Sequence, residues 1–214
     1  MRVLTWNLFH GRSVPDAPRS LLGDFAEQLA AWEWDVALLQ EVPPWWPPAL
    51  GRASRAGART ALTSRNWLRP VSRWAAQRRP DLVKSWGGGA NAILVRGLPI
   101  LDSRAARLRW LPERRWVHGV LLAEGWVVNV HAQNRPEAAA QADCERALSV
   151  ARGWGPLLVF GGDLNLRAPR FEGLRHVAGN HVDHLFTTGR AAGPPEVLDR
   201  GRLSDHPPVA VTLA

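Results

Sequence analysis

The residues best suited to chemistry stand in short polar motifs next to apolar runs. In Gly161-Gly-Asp-Leu-Asn165, a carboxylate and an amide lie two residues apart just after the apolar residues 157–160. Such a pair can align a water and then hold a phosphoryl oxygen. The glycines allow the backbone to turn and approach a ligand, and an extended spacing would project Asp163 and Asn165 to one side. Glycine before Asp-X-Asn is equally ordinary turn chemistry, so this motif alone leaves both readings open. Asp205-His206 precedes Pro207-Pro208 and a final apolar run, and Asp183-His184 borders Val182 and Leu185-Phe186. A carboxylate that accepts a proton from one imidazole nitrogen fixes the tautomer and favours imidazolium, which suits a histidine facing phosphate. In isolation, an Asp-His pair more often caps a turn or sits on the surface.

Hydrolysing a phosphate ester at neutral pH needs charge neutralisation on the phosphate, an activated water and a stabilised leaving oxygen. Hard oxygen ligands suit magnesium. Glu41, Asp163 and Asp205 are dispersed in sequence but stand at strand ends, so they could converge on one ion with waters completing its shell.

The elements that must position these groups follow from periodicity. Residues 2–8 have strand character and end at Asn7; residues 20–34 form an amphipathic helix with Leu22, Phe25, Ala26 and Leu29 on one face; residues 36–40 return as a buried strand ending at Glu41. Pro43-Pro44 and Pro47-Pro48 break the exit, and irregular or short helical structure is expected after them. Residues 91–96, 106–111, 116–123 and 126–131 read as strands, the last two joined as a hairpin at Glu124-Gly125. Residues 136–154 read as a helix with Pro136 at its first position, 157–160 as a short apolar strand, and 181–186 and 209–213 as further strands. Many strands with few helices fit two packed sheets covered by helices, with loops at one edge free for chemistry.

The 214 residues, 46% hydrophobic and 21% charged, suit a single domain over residues 1–214 with a sizeable core. No apolar run reaches the roughly 20 residues of a membrane span, and no apolar leader follows Met1-Arg2, so the cytoplasm is the expected location. Cys144 is the sole cysteine, which excludes an internal disulfide and a cysteine zinc site; it reads as a small core residue. The net charge of +8 is carried by residues 42–80, which hold no acidic residue and the arginines Arg52, Arg55, Arg59, Arg65, Arg69, Arg73, Arg78 and Arg79. Trp45, Trp46, Trp67, Trp74 and Trp86 lie in or just after that stretch. The segment is either a contact surface for polyanions, meaning nucleic acid or an anionic membrane, or a solvated arginine face with its tryptophans turned inward.

Taken in order, Thr5-Trp-Asn-Leu8, Leu39-Gln-Glu41, Gly89-Ala-Asn-Ala-Ile-Leu94, Val130-His131, Gly161-Gly-Asp-Leu-Asn165, Val182-Asp-His-Leu185 and Ser204-Asp-His206 resemble the endonuclease/exonuclease/phosphatase superfamily. Each motif is weak alone; their order across residues 5 to 206 makes the signal specific. The resemblance implies a four-layer α/β/β/α sandwich, an α/β (α+β) fold of two packed, mostly antiparallel sheets flanked by helices. It implies a Mg2+ cofactor, with Mn2+ as alternative, held chiefly by Glu41 with support from Asn7 and Asp205. It further implies that Asp163 orients or deprotonates the attacking water, that Asn165 binds and aligns the phosphate, and that Asp183 orients His206, which stabilises the transition state. Asn7, Asn91 and His131 join the phosphate-binding set. His131 matches members of the deoxyribonuclease I and sphingomyelinase type, whereas abasic-site endonucleases carry tyrosine there, which disfavours abasic-site repair. Phe9 stands where some repair members carry a second acidic ligand, placing more weight on Glu41. His184 replaces a usual tyrosine or tryptophan and is read as structural. His10, His118, His176 and His181 have no motif support and read as surface or packing residues, and Trp6 as core beneath Asn7.

The expected function is a magnesium-dependent endonuclease on DNA, monomeric, with Arg52, Arg55, Arg59, Arg65, Arg69 and Arg73 contacting nucleic acid near the cleft. A hydrolase of lipid or small phosphoesters is the alternative, with an anionic membrane as partner. A degenerate binding module is the third reading, disfavoured because Asn7, Glu41, Asp163, Asn165, Asp183, Asp205 and His206 are all present.

Overall fold

The computed structural model describes residues 1–63 and 89–214. In chain order the described elements are β1 (Arg2–Asn7), a 3-10 turn (Phe9–Gly11), α1 (Leu22–Ala31), β2 (Val36–Val42), α2 (Pro47–Ala53), β3 (Ala56–Leu62), β4 (Ala90–Arg96), β5 (Asp102–Arg109), β6 (Arg115–Leu122) and β7 (Gly125–His131). There follow α3 (Glu137–Arg152), β8 (Leu157–Asp163), β9 (Arg175–Asn180), β10 (Asp183–Thr187), β11 (Glu196–Val197) and β12 (Val209–Thr212).

The strands form two six-stranded sheets, β11-β12-β1-β2-β4-β3 and β5-β6-β7-β8-β10-β9. Each sheet contains one parallel pair, β1 with β2 and β7 with β8, among antiparallel neighbours. These four central strands are covered on both faces, which is why they read as almost unbroken apolar runs. One face of each sheet meets the other through Val3, Leu38, Ile93, Val120, Val127, Val159, Leu185 and Val211. The outer face of the first sheet packs against α1 and α2 through Trp6, Phe25, Leu29, Trp46 and Leu50. The outer face of the second packs against α3 through Val128, Phe160, Cys144 and Ala147. Two sheets between outer helices make the expected α/β/β/α sandwich, and Trp6 and Cys144 are core residues as expected.

Several boundaries differ from the periodicity. β5 ends at Arg109, so Trp110 and Leu111 belong to the turn before β6. β5 is an edge strand whose residues are mostly exposed, and its arginines hide the alternation that marks a half-buried strand. β3 escaped detection within the basic stretch for the same reason, since only Ala61 in it is buried. β9 was also missed, and β10 begins only at Asp183. Pro136 caps α3 with extended backbone rather than starting it, so its missing N–H removes no helical bond. No helix among the described residues is long and apolar enough to cross a membrane.

Beneath the functional edge, a polar bracket ties the sheets together. Gln40 donates to Asn129 Oδ1 at 2.8 Å and to Thr5 Oγ1 at 3.2 Å. Asn129 in turn donates to the carbonyls of Leu39 at 2.9 Å and Ala92 at 3.0 Å. All three side chains are fully buried, so each bond removed would leave a buried polar group unmatched, at about 1–3 kcal/mol. The bracket fixes the strand ends that carry Glu41 and His131.

Candidate active site

The two parallel pairs point the same way, so Asn7, Glu41, His131 and Asp163 emerge together at the C-terminal ends of β1, β2, β7 and β8. In register, Asn7 pairs with Gln40 in one sheet and His131 with Asp163 in the other. They floor a cleft of about 400 Å³ that is also lined by Phe9, His10, Arg12, Glu113, Arg115, Gln133, Asn134, Asn165, Asp205 and His206.

Asp163 is the hub. Its Oδ2 accepts from Asn7 Nδ2 at 2.8 Å, its Oδ1 from the backbone N–H of Asn165 at 3.1 Å, and His131 Nε2 lies 3.5 Å from Oδ2. Burial raises its carboxyl pKa, against the pull of His206 and the Asn7 hydrogen bond. Of the two readings left open for Asp-Leu-Asn, extended or turn, the structure shows the turn: Asn165 has φ +52°, and the bond from its N–H to Asp163 closes it. That turn brings both side chains to the cleft, while Asn165 Nδ2 donates to Ala132 O at 3.0 Å. The motif is a turn, and that same turn sets Asp163 and Asn165 side by side in the cleft lining. The glycines serve packing rather than ligand approach. Gly162 has φ +129°, and a Cβ there would lie 2.1 Å from Val130 O and 2.9 Å from Asn129 Oδ1.

Glu41, itself at φ +49°, points into the cleft, with Oε2 3.1 Å from His10 Nε2 and Oε1 3.8 Å from His131 Nε2. Burial first, then repulsion from Asp163, pushes its pKa up to about 7. Two recessed carboxylates that repel each other, neither ion-paired to a lysine or arginine among the described residues, fit a divalent cation with hard oxygen ligands. Glu41 would hold it, with the Asn7 amide oxygen and Asp205 nearby. Asp205 lines the rim with its side chain 44% exposed. The tightest group of metal-ligating atoms among the described residues is instead Asp163, Asp183 and His206, within 4.8 Å of one another. His206 Nδ1 and Asp183 Oδ2 in that group are already bonded to each other at 2.7 Å.

That bond is the expected Asp183–His206 pair. Asp183 is buried behind the imidazole and outside the cleft lining, whereas His206 Nε2 faces the cleft, 3.9 Å from Asp205 Oδ1. Burial opposes the imidazolium, but the Asp183 hydrogen bond and the charges of Asp183, Asp163 and Asp205 outweigh it and lift its pKa to about 9. Burial also pushes Asp183 up to about 7, so the pair as a unit holds its protons tightly. The loop is pinned from three sides: Ser204 Oγ donates to Asn7 O at 2.6 Å and accepts from His206 N at 3.0 Å, and Trp6 Nε1 donates to His206 O at 2.9 Å.

His131 behaves oppositely. Burial, with Arg115, His10 and His206 nearby, drives its pKa well down, so it enters the cleft neutral.

Some expectations need correction. Asn91 is fully buried and absent from the cleft lining, its side chain turned between the sheets like Ile93 and Val95 on the same strand. Arg52, Arg55 and Arg59 do not line the cleft either. α2 carries the chain back along the sheet, so Ala56 pairs with Arg96 at the far end of β4 while Leu62 pairs with Ala90 at the cleft end. Seven residues of strand put Arg55 roughly 20 Å from the functional edge. Arg65, Arg69, Arg73, Arg78 and Arg79 lie outside the described residues. His10, expected on the surface or in packing, touches Glu41. Arg115 was missed because nothing distinguishes it among so many arginines. It is buried, donates to Glu113 Oε2 at 2.6 Å, and its charge lowers the pKa values of Glu41 and Asp163. Asn129 was missed too, although a lone asparagine in Val127-Val-Asn-Val130 is a visible anomaly in a buried strand.

The sequence profile described as the Endonuclease/Exonuclease/phosphatase family matches residues 4–206. The chain belongs to this family. Its members are metal-dependent phosphoester hydrolases. Solved structures share the fold at low identity. A functionally unknown conserved protein from Enterococcus faecalis V583 aligns with TM-score 0.75 and 15% identity, covering 100% of this chain and 99% of that one. Truncated Caenorhabditis elegans TDP2 aligns with TM-score 0.70 and 16% identity, covering 99% and 96%. The Bacteroides thetaiotaomicron VPI-5482 mannosyl-6-phosphatase aligns with TM-score 0.69 and 16% identity, covering 100% and 99%. No curated protein sequence matches the chain.

Proposed function

We propose that this phosphoester hydrolase is a magnesium-dependent nuclease that cleaves DNA internally, acting as a monomer, with manganese able to replace magnesium. The observation that carries the reading is an acidic and imidazole floor between walls bearing Arg12, from the loop after β1, and Arg115, from β6 of the other sheet. A polymer backbone presents phosphates on both sides of the scissile one, and the guanidinium groups on both walls, Arg12 held by Asp16 and Arg115 by Glu113, suit that spacing of charge.

Glu41, with Asn7 and Asp205, would hold the cation, which when bound would supply charge neutralisation on the phosphate. Asp163, fixed by Asn7 and the Asn165 N–H, orients a water and takes its proton, a role favoured by its raised pKa. The second amide hydrogen of Asn165 meets a phosphoryl oxygen. As the water oxygen bonds to phosphorus, the P–O bond to the leaving group breaks, and His206, its Nδ1–H anchored on Asp183, gives its Nε2 proton to the departing oxygen. Neutral His131 adds a donor without repelling the cation.

The test is a substrate panel with magnesium: plasmid, single-stranded DNA, RNA, sphingomyelin and phosphoinositide vesicles, and a sugar phosphate, each repeated with chelator. Chelator-sensitive nicking of plasmid supports the reading. Turnover confined to lipid or sugar phosphate overturns it. A Glu41→Ala variant should lose magnesium binding by calorimetry and most of its activity, and Arg52→Ala/Arg55→Ala should stay within about twofold of wild type on DNA, as exposed residues remote from the cleft.

A further inference from the structure

The β5–β6 turn carries the most exposed large apolar side chains near the cleft, Trp110 at 57% and Leu111 at 79% exposure. Isolated exposed apolar residues need no explanation, but this pair is set in a built surroundings. The Arg107 guanidinium lies 3.6 Å from the centroid of the Trp110 ring and 5.9 Å from that of Trp116, and Arg114 lies 5.3 Å from Trp110. The turn is held at its base, where Leu108 is buried in the core and Arg109 donates to Asp143 Oδ1 at 2.7 Å on α3. Glu113 and Arg115, in the same turn and at the start of β6, line the cleft itself. An indole within three residues of the cleft wall is thus presented to solvent on a fixed support.

We propose that this turn is a contact surface for single-stranded nucleic acid, with Trp110 stacking on a nucleobase next to the phosphate held in the cleft. The inference rests on the nuclease reading and names how the strand is gripped. Stacking uses the π-face that every base has, so it holds a strand without reading its sequence. Arg107 extends the stacking platform and supplies positive charge for the flanking phosphate. A lipid surface is the competing occupant. Trp110 lies three residues from Glu113 in the cleft wall, so a base of the strand whose phosphate is held in the cleft can meet the indole. Charge and geometry together favour the nucleotide.

The test compares wild type, Trp110→Ala, Trp110→Phe and Arg107→Ala on a fluorescein-labelled 12-nucleotide oligothymidylate and on methyl p-nitrophenyl phosphate, with binding to the oligonucleotide also measured in chelator. Trp110→Ala should raise the oligonucleotide KM and Kd about tenfold, the size of one lost base stack, with kcat and the small-diester rate unchanged. Trp110→Phe should recover most of the loss, and circular dichroism should be unaltered. Equal oligonucleotide KM in wild type and Trp110→Ala overturns the proposal while leaving the nuclease reading intact. So does a loss confined to phosphatidylserine vesicle binding, which would make the turn a membrane contact. If wild type hydrolyses the small diester but neither binds nor cleaves nucleic acid, the nuclease reading falls and the proposal with it.

Discussion

His206 and His184 are both recessed, and both adjoin Asp183, one by hydrogen bond and the other by sequence. Their partners make them different groups. His206 gives its Nδ1 hydrogen to a carboxylate and turns Nε2 to the cleft. His184 faces away from the cleft. Its Nε2 bonds to Leu166 O at 2.8 Å and its Nδ1 to His176 Nε2 at 3.0 Å. The Leu166 carbonyl can only accept, so His184 donates from Nε2 and accepts at Nδ1, the neutral tautomer, with His176 as donor. A carboxylate partner makes a charged imidazole for the phosphate; an imidazole and a carbonyl make an uncharged strut. That strut ties β10 to the carbonyl of Leu166, just after the turn carrying Asp163 and Asn165, and of the two readings of His176, surface or packing, the structure shows packing.

Removing the charged imidazole should have the largest effect. His206→Ala should lower kcat about 10³-fold on any substrate the protein turns over, with the melting temperature nearly kept, since a donor aimed at developing charge acts in the transition state. Asp183→Asn retains the shape but cannot hold the imidazolium and should cost about 10²-fold. Equal activity of His206→Ala and wild type would remove His206 from the chemistry and leave the two histidines alike.

His184→Phe keeps an aromatic ring but leaves Leu166 O and His176 Nε2 without their partner. Stability should fall by about 1–3 kcal/mol for the buried groups left unmatched. If the strut positions Asn165, kcat should fall roughly tenfold with KM little changed, because a slightly displaced group weakens transition-state contacts first. A change in melting temperature alone would make His184 a packing residue and nothing more. Gly179→Ala tests the strut from its other side, since a Cβ there would lie 2.4 Å from His184 Nδ1 and 2.7 Å from His176 Nε2. It should cost about 1–3 kcal/mol by overpacking and lower kcat only a few-fold.

The charged half of this comparison was legible in the sequence; in the neutral half His184 was read as structural, but its partners His176 and the Leu166 carbonyl were not foreseen. Asn7, Glu41 and Asp163 each end or follow an apolar run at the ends of parallel central strands, which share one edge, and His206 precedes the last apolar run, so motif order was enough to gather them. Local pattern failed where partners come from distant segments. Nothing in Asp183-His184 says which of the two lies beside the site; the register of β10 against β8, which pairs Asp183 with Asp163, decides it and brings Asp183 to His206. His10 fell outside the expected site because the chain at Phe9 and His10 takes positive φ, folding it back onto Glu41. The arginine stretch is a different case. Composition located a charge excess, but α2 sends Arg52 and Arg55 to the far end of the sheet, and among the described residues the arginines lining the cleft are Arg12 and Arg115, which no charge run marks.

The subtlest consequence is a pair of opposite pH slopes. Burial lowers the pKa of His184 and also of His176, so between the folded value and the unfolded value near 6.5 the unfolded chain binds more protons. Their contribution to stability is intact above that pH and is lost as pH falls through it. His206, lifted to about 9 in the folded protein, binds a proton that the unfolded chain has released. Its contribution is complete below about 6.5 and is lost as pH rises through about 9. Imidazole NMR in chelator should show one resonance still protonated at pH 8, with those of His184 and His176 already neutral at pH 6.5 alongside the buried His118 and His131, assigned by His206→Ala and by His184→Phe. In His206→Ala the alkaline fall in melting temperature should shrink while the acid fall persists, and in His184→Phe the reverse. If His206 titrates near 6.5 instead, the Asp183 bond does not hold an imidazolium, and the difference between the two histidines reduces to which of them faces the cleft.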